Sequence, residues 1–201
     1  MCKVARLLQN MYLCRLKNVW HSYDCAITNN LKTTKMNQNP FSTIAPKRLL
    51  FVCLGNICRS PAAEGVMKAK VSSAGIADSF FIDSAGIGDW HVGQLPDRRM
   101  RERAALRGYH LDSRARQLRQ SDFADFDLIL VMDADNYRIV SSKAPDEASR
   151  SKVRMLADYL TTHRGTPAIP DPYYGTSADF DYAIDLIEDA TAGLLAALMR
   201  A

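Results

Sequence analysis

A chain of 201 residues, of which 47% are hydrophobic and 24% charged, is long enough to bury the core of one α/β domain. Its apolar runs are all shorter than the ~20 residues of a membrane-spanning helix, so no membrane partner is expected. The net charge of +4 is unevenly spread, since residues 1–48 hold eight basic residues against one acidic residue and the remainder holds 18 against 21. The main part of the chain is thus mildly acidic, and nucleic acid is not an expected partner.

Residues 1–46 form a basic leader that we expect to lie outside a domain at residues 47–201. Three interpretations of this leader remain open. Its low acid content and the helical spacing of its apolar residues are typical of an organelle transit peptide; those residues are Val4, Leu7, Leu8 and Met11. It could also be a disordered tail that ends in a polar linker over residues 33–40, or an artefact of start-site choice with Met36 as the true beginning. The last two interpretations are favoured.

From Lys47 onward, hydrophobic segments predict strands that alternate with helices. The predicted strands are short, buried apolar runs at residues 49–52, 80–82, 126–132 and 153–156. The predicted helices cover residues 61–73, 96–107 and 178–199, and Asp133 is expected to cap a further helix after the third strand. This alternation indicates a doubly wound, mostly parallel sheet. Ligands bind beyond the carboxyl ends of such strands, so we expect the site at that edge.

The segment from residue 51 to residue 61 joins a predicted strand, a cysteine-containing loop and a helix that begins at Pro61. The backbone N–H groups of such a loop can form an anion-binding nest at the positive end of the helix. We therefore interpret Cys53 as a thiolate nucleophile and Arg59 as a planar, paired donor to a phosphoryl group. Of the five cysteines, only Cys53 has an arginine six residues later. The alternative is a buried structural cysteine beside a surface arginine.

Six short motifs resemble those of the low-molecular-weight protein tyrosine phosphatases and occur in the same order as in that family. They lie at residues 53–60, 83–86, 90–93, 115–117, 131–133 and 171–175. The resemblance covers residues from Lys47 to the C-terminus. It implies a four-stranded parallel sheet of order 2-1-3-4, flanked by helices, with the phosphate-binding loop after the first strand. It also implies hydrolysis of phosphotyrosine and small aryl phosphates through a cysteinyl-phosphate intermediate, with no cofactor or metal.

The resemblance also implies the roles of three catalytic residues. Cys53 would attack phosphorus, and Asp171 would protonate the leaving group and then activate water. Arg59 and Ser60 would bind the phosphoryl oxygens together with the backbone of the loop. The loop residues that contribute are Leu54, Gly55, Asn56, Ile57 and Cys58. Asp171 stands between Pro170 and Pro172, which places it on a stiff, non-helical segment. The alternative for Asp171 is an ordinary turn residue.

Four residues are expected to support this chemistry. The hydroxyl of Ser60 resembles a family serine that donates to the thiolate, although a helix N-cap is the simpler role. Asn56 tolerates left-handed backbone and would brace the loop, with Ser84 as its partner. Asp133 resembles a family aspartate that contacts groups near the loop, although helix capping alone is the alternative. Many relatives carry histidine where this chain has Ser113, so the brace is expected to differ locally.

Aromatic side chains are expected to line the substrate pocket. Trp90, Tyr173 and Tyr174 would form the walls, and Leu54 and Ile57 an apolar floor, in a slot deep enough to favour phosphotyrosine over phosphoserine. Ile57 also favours an aryl ester, because relatives that act on arginine phosphate tend to have threonine there. The alternative for Trp90 is a partly buried packing residue.

Cys58 lies five residues after Cys53, which predicts a reversible disulfide once the nucleophile is oxidised. The alternative is a small apolar residue in the loop wall. Free thiols in the site indicate a reducing compartment such as the cytosol, although the leader leaves organelle import open.

Competing functions are disfavoured by particular residues. An arsenate reductase needs further cysteines downstream, and none follows Cys58. A phosphocarrier of sugar transport has a similar cysteine loop but needs neither Arg59 nor Asp171. A phosphotyrosine-binding module without catalytic activity is disfavoured because Cys53, Arg59 and Asp171 are all present. The four histidines form no ligand cluster with the cysteines, so no metal is expected. The expected partners are phosphotyrosine-containing proteins or small aryl phosphates, and the oligomeric state is not readable from the sequence.

Overall fold

Four short apolar segments form one parallel sheet in the computed structural model, which describes residues 46–200. The strands are β1 (Lys47–Cys53), β2 (Phe80–Gly86), β3 (Leu128–Val131) and β4 (Val153–Met155). Their order is β2-β1-β3-β4 with every pairing parallel, which confirms the order implied by the resemblance. The predicted leader lies outside the described residues, apart from Pro46.

Six α-helices connect and cover these strands in the described part of the chain: α1 (Arg59–Ser73), α2 (Arg98–Ala105), α3 (Asp122–Asp125), α4 (Ala134–Lys143), α5 (Glu147–Arg150) and α6 (Ser177–Leu198). Short 3₁₀ helices occur at Ala77–Ser79 and Leu156–Tyr159. None of these helices is long and apolar enough to cross a lipid bilayer. The single-turn helices α3 and α5 were not predicted, because four residues are too few to show a hydrophobic period.

Two predicted helix boundaries are wrong. Helix α1 begins at Arg59, so Pro61 is its third residue rather than its first. The proline is still tolerated there, because the N–H groups of the first turn have no partner within the helix. Helix α2 is shorter than the predicted 96–107, because Asp97 caps its start by accepting a hydrogen bond from the N–H of Arg99 at 2.8 Å.

Strand β1 is buried on both faces, which explains why its sequence is continuously apolar. Leu49 and Phe51 pack on one face with side chains from α1, α2 and α6. Leu50 and Val52 pack on the opposite face with side chains from α3 and α4. Because close-packed interiors allow little displacement, this double burial fixes the position at which the strand ends, at Cys53.

The carboxyl edge of the sheet gathers three chain segments at that point. The N–H of Ile169 donates to the C=O of Met132 at 2.8 Å, which draws the segment before Asp171 to the end of β3. Gly86 ends β2 so close to the loop after β1 that a Cβ there would stand 3.0 Å from the carbonyl carbon of Gly55. Any larger residue at this position would push β2 and this loop apart by a few tenths of an ångström.

Candidate active site

The Cys53 loop, residues 53–59, curls between the end of β1 and the start of α1. Asn56 turns the chain with a φ of 54°, the left-handed region that asparagine tolerates, as predicted. A cavity of about 280 Å³ opens above the loop. It brings together all three predicted catalytic residues and most of the predicted pocket, being lined by Cys53, Leu54, Gly55, Ile57, Cys58, Arg59, Trp90, His91, Asp171, Tyr173 and Tyr174.

The Cys53 thiol is almost completely buried and has one hydroxyl beside it. Its Sγ lies 3.0 Å from Oγ of Ser60. Ser60 Oγ also accepts a hydrogen bond from Nδ2 of Asn56 at 2.9 Å, so its own proton is available to sulfur or to the C=O of Ala85, which lies farther away at 3.3 Å. The alternative role of Ser60 as helix N-cap is wrong, because Cys58 occupies the N-cap position and Ser60 lies inside α1.

The predicted brace of the loop is present and is centred on Asn56. Its Nδ2 donates to Oγ of Ser60 and to Oγ of Ser84, both at 2.9 Å. Its Oδ1 accepts from the backbone N–H of Arg116 at 2.9 Å, which fixes the orientation of the amide. A backbone group thus completes the brace in this chain.

A buried carboxylate that the sequence did not single out completes this network. Ser84 donates from Oγ to Oε2 of Glu64 at 2.6 Å, and Glu64 is 3% exposed. The charge of Glu64 is balanced by Nζ of Lys68 at 2.5 Å, one helical turn later. Hydrogen bonds thus run from Glu64 through Ser84, Asn56 and Ser60 to the sulfur. The pairing of Glu64 with Lys68 at four residues' separation is visible in the sequence, but its inward direction is not.

Arg59 lies under the cavity with its guanidinium held by three oxygen acceptors. Nη1 donates to Oδ2 of Asp133 at 2.5 Å and to the C=O of Ile169 at 3.2 Å, and Nη2 donates to Oδ2 of Asp171 at 2.6 Å. Nε is buried and has no partner among the described residues. Burial alone would lower the pKa of Arg59, but the negative charges of Cys53, Asp171 and Asp133 outweigh it and raise the pKa. The cation is therefore permanent.

Asp171 reaches the pocket from the Asp171 loop, residues 169–175, which is non-helical as its prolines predicted. Its Oδ1 accepts from the N–H of Tyr173 at 3.1 Å, and its Oδ2 contacts Arg59. The turn role and the placement beside Arg59 thus coexist in one side chain. Its carboxyl group is 41% exposed, so protons can reach it from solvent.

Asp133 also combines its two predicted roles. Oδ1 accepts from the N–H of Asn136 at 2.7 Å and caps α4, as predicted. Oδ2 holds Nη1 of Arg59. Each oxygen of this carboxylate therefore serves a different element, the helix or the site.

The walls of the cavity are aromatic and exposed. The rings of Tyr173 and Tyr174 meet edge to face with centroids 4.9 Å apart. Tyr174 is 97% exposed and Trp90 is 66% exposed, so the interpretation of Trp90 as a packing residue is wrong. His91, which the sequence analysis did not select, also lines the cavity beside Gly55. Its position next to Trp90 in a predicted motif was the available signal.

Cys58, within the Cys53 loop, is a buried, free thiol like Cys53 itself. Burial raises the pKa of Cys58, and the negative charges of Asp97 and Cys53 raise it further. Cys58 is therefore a protonated thiol at neutral pH. Within residues 46–200, no three His, Cys, Asp or Glu side chains cluster as metal ligands would.

Comparisons with known proteins agree with this geometry. The family model described as low molecular weight phosphotyrosine protein phosphatase matches residues 48–201. A Synechocystis sp. protein, named for the same family, is 52% identical over 151 residues, which cover 75% of this chain and 96% of that protein. A low molecular weight protein-tyrosine-phosphatase from Streptomyces coelicolor is 44% identical over 75% of this chain and 93% of its own. A crystal structure of a protein tyrosine phosphatase from Entamoeba histolytica, with Hepes in the active site, superposes with a TM-score of 0.74 at 44% identity, covering 77% of this chain and 97% of that one.

Proposed function

Because the chain belongs to the low molecular weight phosphotyrosine protein phosphatase family and is a protein-tyrosine phosphatase, we propose how its residues divide the reaction. In the first step the Cys53 thiolate attacks phosphorus, a sulfur–phosphorus bond forms and the bond to the aryl oxygen breaks. Asp171 gives its proton to the departing oxygen. Arg59 and the loop N–H groups hold the three remaining oxygens as their charge shifts.

In the second step water replaces sulfur on phosphorus. Asp171, now a carboxylate, takes a proton from the water as its oxygen bonds to phosphorus and the bond to Cys53 breaks. Inorganic phosphate leaves and the thiolate is restored. The hydroxyl of Ser60, 3.0 Å from Sγ and oriented by Asn56, stabilises the negative charge that returns to sulfur.

One observation carries this division of roles: Nη2 of Arg59 lies 2.6 Å from Oδ2 of Asp171 in a cavity that Cys53 also lines. Nucleophile, oxyanion ligand and acid therefore line one cavity that can receive a phosphoryl group together with its aryl leaving group. The charges of the site support a protonated Asp171 in the first step. The Cys53 thiolate and the carboxylates of Asp133 and Asp171 together outweigh the single positive charge of Arg59 and would repel a phosphate dianion. Protonation of Asp171 removes one of these charges when the substrate arrives.

For substrates, we propose phosphotyrosine-containing proteins and small aryl phosphates. The aromatic walls formed by Trp90, Tyr173 and Tyr174 support an aryl ring at the mouth of the cavity. The buried floor at Ile57 supports a slot that a phosphotyrosine can span. The two free thiols of the site support a reducing compartment such as the cytosol.

Trapping of the intermediate tests the proposal. Wild-type protein that hydrolyses ³²P-labelled phenyl phosphate in EDTA should, after acid quenching, carry label on the peptide that contains residue 53. Asp171→Asn should accumulate less label in the first milliseconds, because proton transfer to the leaving group is slowed. Labelled phosphate on a different residue, or hydrolysis that stops in EDTA, would refute the assigned chemistry.

Oxidation of the site should be reversible only while Cys58 is present. Peroxide converts the Cys53 thiolate to a sulfenic acid, and the Cys58 thiol then displaces water to form a disulfide that added thiols reduce. Treated wild-type protein should regain most of its activity with dithiothreitol, whereas Cys58→Ser should lose most of it permanently, each relative to its own untreated activity. Because the pKa of Cys58 is raised, this protection should grow as pH rises and more Cys58 thiolate forms. Equal recovery in both proteins would contradict the prediction.

A further inference from the structure

An ion pair at the start of α2 lies outside the machinery assigned above. Arg99 donates from Nε to Oδ1 of Asp97 at 3.0 Å and from Nη2 to Oδ2 at 2.9 Å. The same carboxylate caps the helix by accepting from the N–H of Arg99. The hydrogen bonds from Arg99 lower the pKa of Asp97, and those bonds raise the pKa of Arg99, so both groups stay charged. The two planar groups are locked in one paired geometry.

This pair contacts both loops of the active site. The backbone N–H of Asp97 donates to the C=O of Ile57, in the Cys53 loop, at 2.7 Å. Nη2 of Arg99 donates to the C=O of Tyr173, in the Asp171 loop, at 2.9 Å. The guanidinium also lies over aromatic rings, 5.5 Å from the centroid of Tyr173 and 4.7 Å from that of Phe180 on α6. The pair therefore bridges the nucleophile's loop and the acid's loop.

The bridge reaches the carboxyl group of Asp171 through a single residue. Tyr173 accepts from Arg99 at its C=O and donates from its N–H to Oδ1 of Asp171 at 3.1 Å. The backbone position of Tyr173 thus depends on Arg99, and the rotamer of Asp171 depends on Tyr173. Arg99 itself is not part of the cavity lining, so it acts on the reaction through these neighbours.

Another direct link between these loops is the contact of Arg59 with Asp171. That contact must loosen during the reaction, because Asp171 is then a neutral acid aimed at the leaving oxygen. The Asp97–Arg99 bridge makes no contact that the reaction changes. Ile169 anchors the start of the Asp171 loop to Arg59 and Met132, whereas the bridge holds the part that follows Asp171. The bridge can therefore keep the acid at a constant distance from sulfur while Arg59 binds phosphate.

We propose that Arg99 is a positioning residue for proton transfer, holding the Asp171 loop on the Cys53 loop through Asp97 and Tyr173. The proposal rests on the assignment of Asp171 as the acid. A misplacement of the acid costs most when the leaving group is a poor one, since a stable phenolate departs with little help from a proton. Leaving-group sensitivity therefore separates this role from a purely structural one.

The test compares kcat/KM for phenyl phosphate and p-nitrophenyl phosphate. In Arg99→Ala, kcat/KM for phenyl phosphate should fall about tenfold, and that for the nitro compound less than about threefold. In an Asp171→Asn background, Arg99→Ala should lower neither value further, because the group it positions is gone. Arg99→Lys keeps the positive charge but cannot donate two parallel hydrogen bonds to Asp97, so its kcat/KM for phenyl phosphate should lie between those of Arg99→Ala and the wild type.

Two arginines of the same helix are matched controls. Arg98→Ala removes an exposed neighbour paired with Glu102, and Arg103→Ala removes an ion pair between α2 and Asp181 of α6. Arg103→Ala should lower Tm, yet both controls should keep the wild-type ratio between the two substrates. An equal loss for both substrates in Arg99→Ala, or a loss that persists without Asp171, would overturn the proposal. Full activity in Asp171→Asn would instead overturn the acid assignment, and the role of Arg99 with it.

Discussion

Replacing Cys53 with serine should lower kcat for aryl phosphates by at least about 10⁴-fold, as removal of a covalent nucleophile does in other enzymes. A serine hydroxyl stays protonated at the working pH, and its neighbour is the hydroxyl of Ser60 rather than a base. Arg59 and the brace of the loop remain, so the variant should still bind substrate. Steady-state assays with p-nitrophenyl phosphate, together with calorimetry on a phosphotyrosine peptide, would measure both effects.

A cysteine of the leader provides the control for this substitution. Cys25→Ser should keep wild-type kcat, since Cys25 has no arginine six residues later and is not among the residues assigned to the reaction. Wild-type activity in Cys53→Ser would refute covalent catalysis at this position. Loss of peptide binding along with activity would show that the loop had collapsed, and Cys53→Ala would then be needed to separate the two effects.

Replacing Asp171 with asparagine should lower kcat/KM for phenyl phosphate on the order of 10²-fold, the lower end of what general acids contribute. The loss should be smaller for p-nitrophenyl phosphate, because its stable phenolate departs with little help from a proton. Values of kcat/KM for both substrates in the two proteins measure this difference.

The same substitution should strengthen the binding of inorganic phosphate. It removes a negative charge from the cavity and frees Nη2 of Arg59 from the carboxylate that holds it at 2.6 Å. Asp135→Asn, on the exposed surface of α4, is a control that should change neither the phosphate inhibition constant nor the ratio of kcat/KM between the two substrates. An equal loss for both substrates in Asp171→Asn would contradict the assignment of Asp171 as an acid.

The chemistry of this site was predictable from the sequence because it is concentrated in short segments. Cys53, Arg59 and Ser60 all lie within residues 53–60, where a buried strand passes through a short loop into a helix, and the prolines beside Asp171 fix its local backbone. The order of the strands was not available from hydrophobic periodicity. It came from the resemblance, and the structure confirms it.

What the sequence did not reveal depends on contacts between distant segments. Glu64 has the polarity of a surface residue, yet it is buried and accepts a hydrogen bond from Ser84, 20 residues later. Arg99 resembles the arginines on either side of it until the C=O of Tyr173, 74 residues away, is placed against its guanidinium. The start of α1 was misplaced because proline marks the first turn rather than the first residue of a helix.

The carboxylate of Asp133 couples a surface helix to the active site, because its two oxygens have different partners. One carboxylate oxygen holds the first turn of α4 and the other holds the guanidinium of Arg59. Fraying of that turn frees the aspartate to rotate, and the arginine then loses one of its two carboxylate partners while the core is still intact. Partial melting of one peripheral element would thus silence turnover at temperatures where the domain as a whole is still folded.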